Sequence, residues 1–163
     1  MESESIRKLI KRYGGLHAAR NALAALQAEL IACEPRNEVI TDAEADCGRL
    51  FMDAIGKRAD ERFAAIFVDQ ARMQIGGLCV FEGGSRTRTT LYPRILFGEA
   101  LKRNATGIIM SHNHPSGTTH PSPQDRDLTR RINELGQSLE VTLIDHLIVT
   151  TTECVSFRKS GWL

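Results

Sequence analysis

Residues 107–117 read GIIMSHNHPSG, and residues 121–125, shortly after them, read PSPQD. The apolar run from Gly107 to Ser111 predicts a short buried strand, which delivers the chain directly into a polar loop. The second segment has an N-cap serine, a first-position proline and a third-position acid, an order that predicts the start of a helix. Functional sites are often built where a strand end feeds a polar loop.

His112 and His114 are candidate metal ligands. One residue separates them, so in extended backbone both imidazoles project to the same side and can contact one ion. Asp125, in the first turn of the following helix, supplies a third ligand if the loop folds back, and a fourth position then remains for water. This is the form of a catalytic zinc site. The alternative is a pair of hydrogen-bonded loop histidines beside a helix that only needs its cap.

Two strands and a helix are predicted before this segment. Residues 62–69 (RFAAIFVD) and 74–81 (QIGGLCVF) have the composition of strands joined by a tight polar turn, which predicts a hairpin. The segment 83–91, rich in Gly, Ser, Thr and Arg, predicts a loop in which a flexible lid can lie. Pro93 suits the first position of a helix that runs to about Asn104.

A helix and two strands are predicted after it, the strands at 141–144 and 146–150. The inner face of the helix carries Leu128, Ile132 and Leu135. Because strands and helices alternate, we expect an α/β domain with a mixed β-sheet flanked by helices, over residues 36–163.

Residues 1–35 are predicted to form a short N-terminal helical arm. Apolar residues recur there at spacings of three and four over about 16–33, and a following proline ends this helix. A second helix begins after Thr41, where Thr-Asp-Ala-Glu has the form of a capping box, and ends before Gly56.

The charge and cysteine content narrow the class of protein. The net charge of +1 gives no global electrostatic reason to expect a polyanionic partner. A local basic cluster leaves nucleic-acid contact open, although a solvated face is the favoured interpretation: Arg86, Arg88, Arg94, Lys102 and Arg103. The four cysteines form no Cys-x-x-Cys pair and fit reduced thiols, and no apolar run approaches the ~18 residues that span a bilayer. We therefore expect a cytoplasmic location and no membrane partner. The sequence does not indicate an oligomeric state.

Four residues have the spacing His-x-His-x7-Ser-x2-Asp, which resembles the JAMM motif of the Mov34/MPN metallohydrolases: His112, His114, Ser122 and Asp125. The fuller pattern, HNHPSG followed by PS, D and a later Asp-His pair at 145–146, is similar to that of the RadC branch of these proteins. The resemblance covers about residues 61–163. It implies a cytidine-deaminase-like fold of the JAB/MPN type and zinc-dependent hydrolysis of a peptide or isopeptide bond, with one zinc ion per chain.

The resemblance also implies two catalytic residues. Glu61 opens the first strand, where the family carries its catalytic acid, and would be the general base; Glu82 and Glu99 are weaker candidates. Ser122 would hydrogen-bond the developing oxyanion, as the matching serine is thought to do in the family. His120 matches no position of the motif, so we expect it to face water.

Three features keep other interpretations open. The Asp145-His146 pair fits a buried hydrogen-bonded turn or a support for the site from outside the ligand set. Tyr92 replaces the family's usual histidine, and the segment 82–86 departs from the usual Gly-Thr-Leu, which puts substrate recognition in doubt more than chemistry. The other function classes are a DNA-repair-associated accessory protein that binds nucleic acid and a non-catalytic MPN interaction module.

Overall fold

The computed structural model describes residues 14, 15, 18, 39–81 and 91–163. The helices are α1 (Ala43–Phe51), α2 (Pro93–Lys102) and α3 (Pro123–Ser138), and a π-helical segment, Met52–Gly56, continues α1. The strands are β1 (Phe63–Val68), β2 (Cys79–Phe81), β3 (Gly107–Asn113), β4 (Thr142–Val149) and β5 (Cys154–Ser156).

The strands form one mixed sheet in the order β2-β1-β3-β4-β5. The central pair, β3 and β4, is parallel, and every other neighbouring pair is antiparallel. Parallel strands need a crossover connection, and α3 provides it. The predicted α/β class with a mixed sheet flanked by helices is thereby confirmed.

Each face of the sheet carries its own hydrophobic core. Along β1, Ala64, Ile66 and Val68 join the core under α1, whereas the alternate residues Phe63, Ala65 and Phe67 join the core under α2 and α3. This alternation follows from the two-residue period of a strand. All residues of β1 and β3 are buried, because both strands are covered on both faces. Burial of one large apolar side chain stabilises the fold by roughly 1.5–3 kcal/mol.

The second and the last two predicted strands need correction. Of the predicted 74–81 strand only Cys79–Phe81 forms, since Gly76 has φ 68° and turns the chain away after a single bridge between Val68 and Gln74. The two strands predicted at 141–144 and 146–150 are one continuous strand, β4. β5, which pairs with the end of β4, was not predicted.

Two details of the helices also differ from expectation. The N-cap of α1 is Asp42 rather than Thr41, and its carboxylate accepts the backbone N–H groups of Glu44 and Ala45 at 3.1 and 3.2 Å. Leu135 was predicted on the inner face of α3 but is 38% exposed, because the buried face of this helix passes through Thr129, Ile132 and Gly136 instead. The predicted helix from Pro93 is confirmed as α2.

Several predictions fall outside the described residues. These are the arm over residues 1–35 and its helix, apart from residues 14, 15 and 18, the loop at 83–91 apart from Leu91, the candidate base Glu82, and the basic residues Arg86 and Arg88. The domain boundary near residue 35 therefore stays a prediction. Among the helices in the described part of the chain, none has both the length and the apolar character needed to cross a membrane.

Candidate metal centre

Three side chains meet where β3 ends and α3 begins. The ligand atoms of His112, His114 and Asp125 all lie within 4.8 Å of one another. Nε2 of His112 lies 2.9 Å from Nε2 of His114 and 3.4 Å from Oδ1 of Asp125. Nε2 of His114 lies 3.5 Å from Oδ2 of Asp125. The residues that were predicted as metal ligands from their spacing are thus brought together.

The positions of the two histidines follow from β3. His112 lies on the strand itself, paired with Phe63 of β1 and Ile148 of β4, and its side chain is fully buried. The chain continues past the strand end, and the backbone N–H of His114 donates to the carbonyl of Val149 at 3.0 Å. With one residue between them, both imidazoles project from the same side of the backbone.

The position of Asp125 follows from the start of α3. Ser122 caps this helix: its Oγ accepts the Asp125 N–H at 3.2 Å, and its own backbone N–H donates to Oδ2 of Asp125 at 2.7 Å. The Ser122 hydroxyl also donates to Oδ2 at 2.6 Å. The capping and the metal-ligand interpretations of this segment are therefore compatible, because the cap leaves Oδ1 facing His112.

Each histidine is held by a second hydrogen bond on its other ring nitrogen. Nδ1 of His114 lies 2.8 Å from the carbonyl oxygen of Thr118. Nδ1 of His112 lies 2.8 Å from Nε2 of His146, whose own Nδ1 lies 2.7 Å from the hydroxyl of Thr129. That hydroxyl donates to the Asp125 carbonyl at 2.6 Å. Neither threonine was predicted from the sequence, although Thr129 lies four residues after Asp125 on the same helix face.

The Asp145-His146 pair does not form a turn. Both residues lie inside β4 and are buried, on opposite faces of the sheet. Asp145 accepts hydrogen bonds from the Ser156 hydroxyl at 2.5 Å and from the backbone N–H of Arg158 at 3.1 Å. Only His146 contacts the candidate ligands, so the pair divides into one residue that anchors β5 and one that supports the site.

Glu61, the predicted base, lies just before β1 and lines the same cleft as His114 and Asp125. The Asn113 side chain fixes the backbone on both sides of it: Oδ1 accepts the Arg62 N–H at 2.6 Å, and Nδ2 donates to the Asp60 carbonyl at 3.1 Å. The residue between the two histidines therefore holds the segment that carries Glu61. This link joins positions far apart in the sequence and was not predicted.

The weaker candidate Glu99 lies elsewhere. It forms ion pairs with Lys102 and Arg103 within α2, and it lines a separate cavity with Tyr92 and Val80. These ion pairs, with Lys102 first, lower the pKa of Glu99. Its carboxylate is thus engaged away from the candidate ligands.

The cleft over the three ligands has a volume of about 940 Å³ and is open to solvent. Its walls combine polar and apolar side chains, among them Phe63, Leu91, Ser122, Arg126 and Leu128. The Arg126 guanidinium lies over the Trp162 ring, 4.9 Å from its centroid. His120 also borders the cleft, exposed as expected, with its ring nearly perpendicular to that of Trp162. The cleft has room for an extended chain segment beside the ligands.

The pKa values of the candidate ligands depend on the contacts between them. Burial alone would raise the pKa of Asp125, but hydrogen bonds from His112, His114 and Ser122 outweigh it and hold that pKa far below its ordinary value. The same contact with Asp125 raises the pKa of His114. Burial lowers the pKa of His146 well below its usual range, so this imidazole is neutral.

The donor set fits a divalent metal ion. Two imidazole nitrogens and one carboxylate oxygen converge on one point, and each imidazole uses its other nitrogen for a hydrogen bond. Nitrogen and oxygen donors of this kind suit zinc, and three protein ligands leave a position for water or substrate. Within the described residues, these are the only three that meet the geometry of a metal cluster.

Comparisons with known proteins agree with this geometry. The sequence profile described as a RadC-like JAB domain matches residues 40–162. A UPF0758 protein of Burkholderia cenocepacia is 40% identical over 121 residues, which are 74% of this chain and 46% of the relative. A UPF0758 protein of Burkholderia thailandensis is 35% identical over 153 residues, 91% of this chain and 58% of the relative. The chain spans about half the length of these curated relatives.

Proposed function

The chain belongs to the RadC-like JAB domain family, and on this premise we propose that it is a zinc-dependent hydrolase of the JAMM type that cleaves a peptide or isopeptide bond. The observation that carries the proposal is the convergence of His112, His114 and Asp125 at the floor of an open cleft that Glu61 also lines. These three residues would hold one zinc ion. A bound zinc ion would supply Lewis acidity, which lowers the pKa of water to about 7 and polarises a carbonyl.

Glu61 would act as the general base. Its carboxylate would accept a proton from water at the site and donate it to the leaving amine of the substrate. Such a group must be held close to the reacting atoms, and the Asn113 hydrogen bonds to Arg62 and Asp60 fix the backbone on either side of Glu61. The segment that carries Glu61 is thereby joined, through the Asn113 side chain, to the end of β3 beside His112 and His114.

Ser122 would stabilise the oxyanion. Its hydroxyl donates to Oδ2 of Asp125 in this structure, so it must rotate toward the substrate oxygen to do this. Its position at the N-cap of α3 and in the wall of the cleft supports this role. The helix N-terminus adds a favourable dipole for negative charge at the same place.

The first experiment measures metal per chain by elemental analysis. We expect about one zinc in the parent and none in the His112→Ala, His114→Ala double variant. Absence of metal from the parent, even after reconstitution with zinc, would contradict the proposal at its first step.

The second experiment separates metal binding from catalysis. Glu61→Gln should retain zinc and lose hydrolysis of fluorogenic peptide and isopeptide substrates by at least ~100-fold, because the amide cannot accept the proton. Glu134→Gln is the matched control, since Glu134 is exposed on α3 away from the cleft, and it should keep parent activity. Equal cleavage by Glu61→Gln and the parent would remove Glu61 from the mechanism.

A further inference from the structure

We propose that Thr129 and His146 are positioning residues that hold His112 in one tautomer, with the proton on Nδ1 and the lone pair of Nε2 directed into the metal centre. The inference rests on the proposed zinc site for its purpose, but not for its geometry. It gives a defined role to three buried side chains from three different elements: α3, β4 and β3.

Thr129, His146 and His112 form a hydrogen-bond relay. Thr129 determines which atom donates in each of its hydrogen bonds. A threonine hydroxyl has one hydrogen, and the Asp125 carbonyl, 2.6 Å away, can only accept. The hydroxyl hydrogen therefore points to Asp125, a back-bond from position i to i−4 that threonine makes readily in helices. Toward His146, 2.7 Å away, the same oxygen can then only accept.

His146 donates from one ring nitrogen and accepts at the other. Because Thr129 accepts from it, Nδ1 of His146 carries the proton. The ring is fully buried, stacked against Phe157 with centroids 4.4 Å apart, and among the described residues no carboxylate is hydrogen-bonded to it. A charged imidazole would be costly in such surroundings. The neutral ring has only one N–H, so Nε2 of His146 is an acceptor.

His112 completes the relay. Its Nδ1 lies 2.8 Å from the acceptor Nε2 of His146, so Nδ1 donates the proton and Nε2 keeps its lone pair. His114 reaches the same state separately, because its Nδ1 faces the carbonyl of Thr118 at 2.8 Å. Two lone pairs then face each other 2.9 Å apart, beside the Asp125 carboxylate. This arrangement repels itself unless a cation lies between the nitrogens.

The relay also couples two ligands. Thr129 is hydrogen-bonded to the backbone of Asp125, and through His146 it is hydrogen-bonded to His112. Any shift of α3 relative to β4 therefore changes the orientation of both ligands together. Neither Thr129 nor His146 is a catalytic residue, because neither lines the cleft.

The test uses the matched pair Thr129→Val and Thr129→Ser. Valine keeps the branched shape of threonine but removes the hydroxyl oxygen that accepts from Nδ1 of His146, so a proton on that nitrogen is no longer favoured. Serine keeps the hydroxyl. Long-range ¹H–¹⁵N spectra of metal-free protein with ¹⁵N-labelled histidine, at about pH 8, report each tautomer directly. We expect His112 with the proton on Nδ1 in the parent and in Thr129→Ser, and a mixture or the opposite tautomer in Thr129→Val.

Zinc affinity, measured by competition with a chelator, is the second readout. Thr129→Val should bind zinc ~10- to 100-fold more weakly than the parent, and Thr129→Ser should lie within about threefold of it. A parent spectrum with the His112 proton on Nε2 would overturn the proposal without any variant, even if Thr129→Val failed to fold. A parent that binds no zinc but shows the expected tautomer would overturn the proposed function and leave the relay standing.

Discussion

At the scale of single residues, a metal ion and a proton would compete for the candidate metal centre. With both imidazoles neutral, the three candidate ligands carry one negative charge, that of Asp125. A proton on His114 neutralises it, which is why the contact with Asp125 raises the pKa of His114. A zinc ion must displace that proton, because an imidazole binds a metal only through its free lone pair.

We therefore predict that zinc affinity decreases as the pH is lowered through the pKa of His114, which is raised above its ordinary value of about 6.5. Asp125 stays ionised throughout this range, because its pKa is lowered, and contributes nothing to the change. Isothermal titration in two buffers of different ionisation enthalpy should show about one proton released from His114 per zinc bound at pH ~6, below the pKa of that histidine.

In the metal-free protein, the free energy of unfolding depends on pH in the opposite direction to zinc affinity. A raised His114 pKa stabilises the fold fully below about 6.5, and this contribution is lost as pH rises through the folded-state pKa. His120→Gln is the control for both effects, since this exposed histidine lies outside the ligand cluster. A zinc affinity that stayed constant between pH ~6 and ~8 would contradict the competition.

Sequence spacing was sufficient to predict that the candidate ligands meet, but it was not sufficient to predict the residues that hydrogen-bond to them. His112, His114 and Asp125 lie close in the chain, so a strand end and a helix start were enough to predict that they meet. Thr129 and His146 acquire their roles only when β4 pairs with β3, a long-range contact that spacing cannot show. Glu61 was proposed through the family resemblance rather than from its surroundings.

At the scale of elements, the site depends on how α3 joins the sheet. Its N-terminus carries Ser122 and Asp125, and its C-terminal end packs tightly where the chain turns into β4. A Cβ atom on Gly136 would lie 2.3 Å from the carbonyl oxygen of Val141. The carbonyl of Gly136 accepts the Val141 N–H at 2.9 Å, so the two backbones are held in direct contact.

Gly136→Ala should therefore lower the free energy of unfolding by about 1–3 kcal/mol, because the backbone must move to admit the methyl group. Gly98→Ala in α2 is the matched control. A Cβ there meets nothing within 4 Å, so alanine should raise the free energy of unfolding by up to about 1 kcal/mol through its helix propensity. Urea denaturation measures both. Equal effects of the two substitutions would show that the contact at Gly136 does not constrain the helix.

The elements that were predicted correctly are those with unbroken apolar patterns. β1 and the start of β3 are apolar runs, and α2 and α3 begin at prolines that suit a first helical position. β4 was divided because Asp145 interrupts its apolar run like a turn residue. The interruption is tolerated because Ser156 and two backbone N–H groups satisfy that carboxylate, which only the folded chain reveals.

At the scale of the whole molecule, the described positive charges of the predicted basic cluster are paired or packed against aromatic rings. Within the predicted basic cluster, Lys102 and Arg103 both form ion pairs with Glu99. The Arg103 side chain is only 26% exposed, and its guanidinium lies 5.0 Å from the centroid of the Phe67 ring. Arg94 lies beside the Tyr92 ring, and Arg86 and Arg88 are outside the described residues. A phosphate backbone would therefore find few free cations on α2.

We accordingly predict no tight binding of this chain to DNA at physiological ionic strength, with a Kd weaker than ~100 μM at about 150 mM salt. Fluorescence anisotropy with labelled single-stranded and duplex oligonucleotides, at about 50 and 150 mM salt, measures it. Affinity that rose steeply at low salt and disappeared in the Arg86→Ala, Arg88→Ala double variant would instead support a nucleic-acid partner. The net charge of +1 favours the first outcome, because counterion release scales with the number of phosphates neutralised and a nearly neutral chain neutralises few.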